Sequence, residues 1–96
     1  NFNLNKIIIA YEPVWSIGTG HTPKRYDFIK TTAYIKAFFT KKFKIKKIPK
    51  VLYGGSVNDK NIKELSIWAA FMDGFLIGGA SQSSKKFIDI MKNYYK

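Results

Sequence analysis

Three short apolar runs, each closed by residues that cannot continue a strand, set the rhythm of the chain. The first is Ile7-Ile8-Ile9-Ala10, carried on by Tyr11-Glu12 and stopped at Pro13, which has no N–H to give to a neighbouring strand. The second, Lys50-Val51-Leu52-Tyr53, is stopped by Gly54-Gly55, and the third, Phe75-Leu76-Ile77, by Gly78-Gly79. Unbroken apolar runs of this length suit parallel strands buried on both faces. Glu12 therefore stands where a buried strand ends.

Between the runs the apolar period changes to three and four. Phe28, Thr32, Ile35, Phe38 and Phe39 make one stripe from Arg25 to about Phe43, with Lys30, Lys36 and Lys41 off it. Thr22-Pro23 predicts its start, a side-chain cap followed by proline at the first helical position. A shorter helix carrying Ile62, Leu65 and Trp68 is expected behind a cap at Asn58. A last one, capped by Ser83 or Ser84, is expected to turn Phe87, Ile88, Met91, Tyr94 and Tyr95 inward. Strand, loop and helix thus alternate three times, which predicts an α/β fold with parallel pairing and right-handed crossovers. In such sheets the loops after the strands share one edge, and ligands bind there.

The loop over residues 13–20 holds a Val, a Trp and an Ile and is closed by Gly18-Thr19-Gly20, too apolar for a solvated connector. It reads as a lid. For a lone Glu at a strand end, a structural acid is the ordinary reading. A neighbouring lid that excludes water favours a general base instead. A Gly pair by itself is usually a tight turn. Two pairs at successive strand ends, each before a helix, also leave backbone N–H groups open to a ligand.

The 17 Lys+Arg against 6 Asp+Glu give a formal net charge of +11, a balance that raises nucleic acid or another anionic partner as an alternative. Position argues against it. Lys41, Lys42, Lys44, Lys46, Lys47 and Lys50 cluster in and just after a helix end, where cations suit the macrodipole and the connection is solvated. The aromatics do not interleave with them as an RNA platform requires. With no Cys, disulfide and thiolate chemistry are excluded, and one His excludes most metal sites. There is neither an apolar run of about 18 residues nor an N-terminal signal pattern. No membrane or nucleic-acid partner and no metal are expected, and the expected location is cytoplasmic.

Read together, Ala10-Tyr11-Glu12-Pro13-Val14-Trp15-Ser16-Ile17-Gly18-Thr19-Gly20, Tyr53-Gly54-Gly55-Ser56-Val57 and Asp73 to Ser81 (DGFLIGGAS) resemble, in order, three motifs of the triosephosphate isomerase family. The resemblance covers essentially the whole chain. It implies that residues 1–96 are the last three βα units, strands six to eight, of a (β/α)8 TIM barrel. Such a barrel needs at least about 200 residues, and a chain that starts at Asn1 is expected to begin mid-protein. The resemblance further implies a cofactor-free isomerase of phosphorylated trioses and a homodimeric parent. Glu12 would be the base, and the backbone N–H groups of Gly18, Ser56, Gly78 and Gly79 would hold phosphate. Pro13-Val14-Trp15 and His21-Thr22-Pro23 would hinge a lid that also contains Ser16, Ile17, Thr19 and Gly20. The family's electrophilic Asn, Lys and His would come from earlier strands, so this chain alone is expected to be inactive. The C-terminal part of another phosphate-binding barrel is a further alternative, which the intact lid motif argues against.

The lid departs from the commonest family pattern at His21 and Pro23, which stand where that pattern has Lys and Ala. The family's Tyr at position 53 supports the closed lid through a backbone N–H at position 23, which Pro23 lacks. Closure is then expected to lean on other bonds, such as Ser56 to the Gly20 amide, and Tyr53→Phe to cost less than about 1 kcal/mol. His21, beyond the lid, is expected to be an exposed hinge residue.

Overall fold

The computed structural model describes residues 6–16, 18–19, 21–44 and 48–95; Ile17, Gly20, Lys46 and Lys47, named above, lie outside the described residues. Strands β1 (Ile8–Tyr11), β2 (Lys50–Gly54) and β3 (Gly74–Leu76) alternate with helices α1 (Arg25–Phe43), α2 (Ile62–Trp68) and α3 (Ser84–Tyr94). Two 3-10 turns follow the first and third strands, at Val14–Ser16 and Gly79–Gln82. The strands form one parallel sheet in the order β1-β2-β3, with Ile9 opposite Val51, Tyr11 opposite Tyr53, and Tyr53 opposite Phe75.

That register puts Ile9, Tyr11, Val51, Tyr53 and Phe75 on one face, and the core forms there. Phe28 of α1 is fully buried with its ring 4.9 Å from that of Tyr53 and 6.5 Å from that of Tyr11, both edge-on. Ile62 and Leu65 of α2 and Ile90 of α3 close the same core. The opposite face carries Ile8, Ala10 and Leu76. Among the described residues nothing covers Ile8, which is 64% exposed, or Leu76, which is 43% exposed.

The elements stand where the apolar periods put them, with their ends adjusted by hydrogen bonding. Helix α1 starts at Arg25, after the buried Pro23, because the Asp27 carboxylate accepts the Lys24 N–H (3.0 Å) and makes Lys24 the cap. Thr22 is not that cap. Asn58 likewise sits one turn ahead of α2, accepting the N–H groups of Lys60 and Asn61 through its side chain at 2.9 Å, and Asn61 is the helix cap. Ser83 caps α3 and accepts the Lys86 N–H at 3.3 Å.

The inward face of α3 differs from expectation. Ile90 alone is buried, while Ile88, Met91, Tyr94 and Tyr95 are 43–79% exposed and Phe87 37%. The stripe at three- and four-residue steps lies over a sheet too narrow to cover it, although the Tyr94 ring still reaches Phe75 at 6.0 Å. On α1, Phe28 and Thr32 are buried but Phe38 is 47% exposed, for the same reason.

Asp73 fixes how β3 enters the sheet. Its carboxylate accepts the Val51 N–H at 2.8 Å and its own N–H donates to the Val51 carbonyl at 2.8 Å, so one side chain extends the ladder past the strand.

Among the described residues one sheet face is uncovered and the outer edges of β1 and β3 are unpaired, so the isolated 96-residue chain should not form a stable monomer. Calorimetry of the chain alone is expected to show a broad transition or aggregation. A sharp cooperative melt of a monomer would contradict this.

Candidate functional site

The loops after all three strands meet at one edge of the sheet. An open cleft of about 600 Å³ lies there, and Gly18, Ser56, Gly78 and Gly79 all line it. Residues from the three loops, far apart in sequence, are thus brought to one place. Gly18 has φ +68°, a left-handed conformation that favours glycine. Among the described residues, chain neighbours aside, no atom lies within 4 Å of where a Cβ would stand on Gly18, Gly78 or Gly79, so no side chain of their own screens these backbones from the cleft. Gly79 opens a 3-10 turn, whose first N–H groups point outward without a helical acceptor.

Sequence reasoning missed two cations at this cleft. Lys60 and Lys86 line it together with the opposing Asp59. The available signal was the Ser83 cap, because a residue three positions into α3 lies in the first turn beside the strand-end loop. The only ion pair among the described residues, Lys85 to Asp89 at 2.8 Å, lies one position away and is solvated. The hydrogen bond from Lys85 holds the Asp89 carboxyl below its ordinary range.

Glu12 is not part of the lining of this cleft. It follows β1 in the alternation that puts Ile8 and Ala10 on the open sheet face, and its side chain lies across Gly54. A Cβ added at Gly54 would stand 2.9 Å from Glu12 Cγ and 3.0 Å from Oε1. Glycine at 54 thus leaves the space that the Glu12 side chain uses. The carboxylate is exposed, with no hydrogen bond or ion pair to the described residues.

In the loop after β1, Pro13 is buried, Val14 is 85% and Trp15 54% exposed, and Ser16 is fully buried. The Ser16 N–H closes the turn on the Pro13 carbonyl at 2.8 Å. Thr19 Oγ1 donates to the Trp15 carbonyl at 2.8 Å and accepts the His21 N–H at 3.1 Å. The His21 side chain is exposed, Thr22 is half-buried and Pro23 is buried.

Here the structure adds a bond that the sequence did not suggest. The Tyr53 hydroxyl does have a partner in the loop, the Ser16 Oγ at 2.6 Å, and the bond is buried. Ser16 Oγ itself donates to the His21 carbonyl at 2.6 Å, which leaves the phenol as donor in the first bond. Ser56 Oγ donates to the Ser16 carbonyl at 2.6 Å; the Gly20 amide lies outside the described residues. A proline at 23 removes one backbone donor, but a serine at 16 supplies a side chain that reaches the phenol. Tyr53→Phe would therefore cost more than the loss of an idle hydroxyl. Burial pushes the Tyr53 phenol above its ordinary value.

A family model described as triosephosphate isomerase matches residues 1–94. Similar curated proteins carry the same name. One from Dictyoglomus turgidum is 40% identical over 92 residues, and one from Candida albicans is 44% identical over 91. These alignments take in 94% and 93% of this chain, but 36% of each relative. A third, from Dictyostelium discoideum, is 42% identical over 91 residues, taking in 93% of this chain and 35% of the relative. The chain spans about a third of the length of these relatives.

The raised phenol has a consequence for stability. Below the ordinary value of 10.0 the phenol is neutral in both the folded and unfolded chain, and its contribution is complete. As pH rises past that value the unfolded chain ionises first, so this contribution is lost as pH climbs through the higher folded value. Alkaline unfolding of the folded protein should therefore be steeper above pH 10 than that of its Tyr53→Phe variant; identical slopes would contradict the assignment.

Proposed function

The chain belongs to the triosephosphate isomerase family, and from that membership we propose that residues 1–96 are the last three βα units of a barrel that interconverts dihydroxyacetone phosphate and glyceraldehyde 3-phosphate. The observation that carries this reading is the convergence of Gly18, Ser56, Gly78 and Gly79 on one cleft at the strand ends. A phosphate dianion there meets backbone N–H groups, with Lys60 and Lys86 adding positive charge.

Glu12 is the base in this proposal. Its carboxylate takes the proton from the carbon beside the substrate carbonyl, and the electron pair of that C–H bond forms the enediol(ate). The same carboxyl returns a proton to the neighbouring carbon, so aldose becomes ketose, or the reverse, with no net gain or loss of atoms. The loop over residues 13–23 closes across the site and keeps water from the intermediate. Earlier units supply the Asn, Lys and His that polarise the carbonyl, so the 96 residues alone are inactive. The parent is a cytoplasmic homodimer in this reading and needs neither cofactor nor metal.

Glu12→Gln in the full-length protein keeps the shape and removes the base. Turnover should fall by at least about 10²–10⁴-fold, with the Michaelis constant changed far less and solvent exchange of the substrate's carbon-bound proton falling in parallel. Turnover near wild type, or joint loss of turnover and inorganic phosphate binding, would make Glu12 a structural acid. Lys86→Glu should weaken inorganic phosphate several-fold at low salt and progressively less as salt rises; a salt-independent effect would remove Lys86 from the site.

A further inference from the structure

We propose that the outer side of α1 is a docking surface for single-stranded nucleic acid, and that a base stacks in the groove between Tyr34 and Phe38. Along the sequence the aromatics and the lysines do not alternate. Every fourth residue of a helix, however, falls on one row, and on α1 that row reads Tyr26, Lys30, Tyr34, Phe38 and Lys42, with Lys41 beside it. Winding interleaves what the sequence keeps apart. Tyr26 and Tyr34 are 69% and 72% exposed, while Phe28 and Thr32 on the other side of the helix are buried. In a barrel the helices ring the sheet, so the side of α1 away from the sheet stays outward with the preceding units in place.

The row has fixed features. Lys30 stands 6.0 Å over the Tyr26 ring, a cation against an aromatic face. Phe38 is braced edge-on by Phe39 at 5.6 Å and by Phe43 at 6.3 Å, which sets the direction of its ring. Between Phe38 and Tyr34 opens a shallow groove of about 480 Å³, and Ala37, Lys41 and Lys42 complete its lining. The small Ala37 leaves room for a flat group beside the rings, and the two lysines supply cations for adjoining phosphates.

Charge selects the occupant. Helix α1 carries Arg25, Lys30, Lys36, Lys41 and Lys42 against one acid, Asp27, whose carboxylate is engaged by the Lys24 N–H at the helix start. An anionic strand binding there releases its counterions. The alternation of rings with cations then separates the anionic partners, because a single strand offers a base face and a phosphate at each step. A lipid surface is met by an unbroken apolar row with cations flanking it, and Lys30 interrupts this one. An acidic peptide has no repeating flat group for the rings. None of these residues lines the cleft at the strand ends, so the inference is independent of the role given to Glu12.

The test uses the full-length protein and a fluorescent oligothymidylate, with binding followed by anisotropy. The strand should bind more tightly than a duplex of the same length, and its log affinity should fall against log salt with a slope of about −2, for phosphate contacts by Lys30, Lys41 and Lys42. Tyr34→Ala should weaken the strand about five- to hundred-fold and leave binding of heparin, a polyanion without bases, unchanged. Tyr34→Phe keeps a ring and should bind as wild type does. Lys41→Glu should weaken strand and heparin together and flatten the salt slope. Both positions are exposed, so neither change removes a core contact. No strand binding by the full-length protein, equal losses of strand and heparin in Tyr34→Ala, or tighter binding to phosphatidylserine vesicles, polyglutamate or free thymidine monophosphate than to the strand would overturn the proposal. Glu12→Gln should bind the strand as wild type does, so failure of the proposed base would leave this result standing.

Discussion

Two missing Cβ atoms, at Gly54 and Gly55, govern how the end of β2 meets the loop after β1. At Gly54 the space is taken by the Glu12 side chain, and at Gly55 by the Ser16–Tyr53 hydrogen bond. A side chain at either place would collide with the groups that the proposed chemistry uses. The acid and the buried serine are only four positions apart in sequence, and neighbouring glycines of one strand end accommodate both.

Much of this architecture was legible in the residues. Pro13, Gly54-Gly55 and Gly78-Gly79 mark strand ends because their chemistry stops a ladder or permits a turn, and all three strands end within a residue or two of them. Phe28, Ile62 and Leu65 were legible as core because each recurs at a helical period and meets the covered face of the sheet. The caps were harder to read. Thr22 and Asn58 are good capping residues, but Asp27 and Asn61 offered competing bonds that moved each start toward the C-terminus.

The site was legible in part. The four residues that share the cleft come from glycine-rich strand ends, a local signal that the family resemblance made specific. The Ser16–Tyr53 bond was not legible, because it joins positions 37 residues apart and depends on which way one residue of an irregular loop turns. Nor were Lys60 and Lys86, which by composition alone belonged to a broadly basic surface. The outward residues of α3 show a different limit. Periodicity tells which side chains share a face, but not whether enough sheet lies beneath to cover it.

The Asp73 clamp on Val51 also bears on the order in which the chain assembles. It closes a loop of 22 residues, whereas β1 can find β2 only across the long helix α1, a separation nearly twice as great. Each doubling of loop length adds about 0.6 kcal/mol of closure entropy, and Asp73 adds two hydrogen bonds at the mouth of the shorter loop. By closure entropy alone the β2-α2-β3 unit is therefore the less costly pairing, and β1, with the acid that follows it, meets β2 at the greater cost.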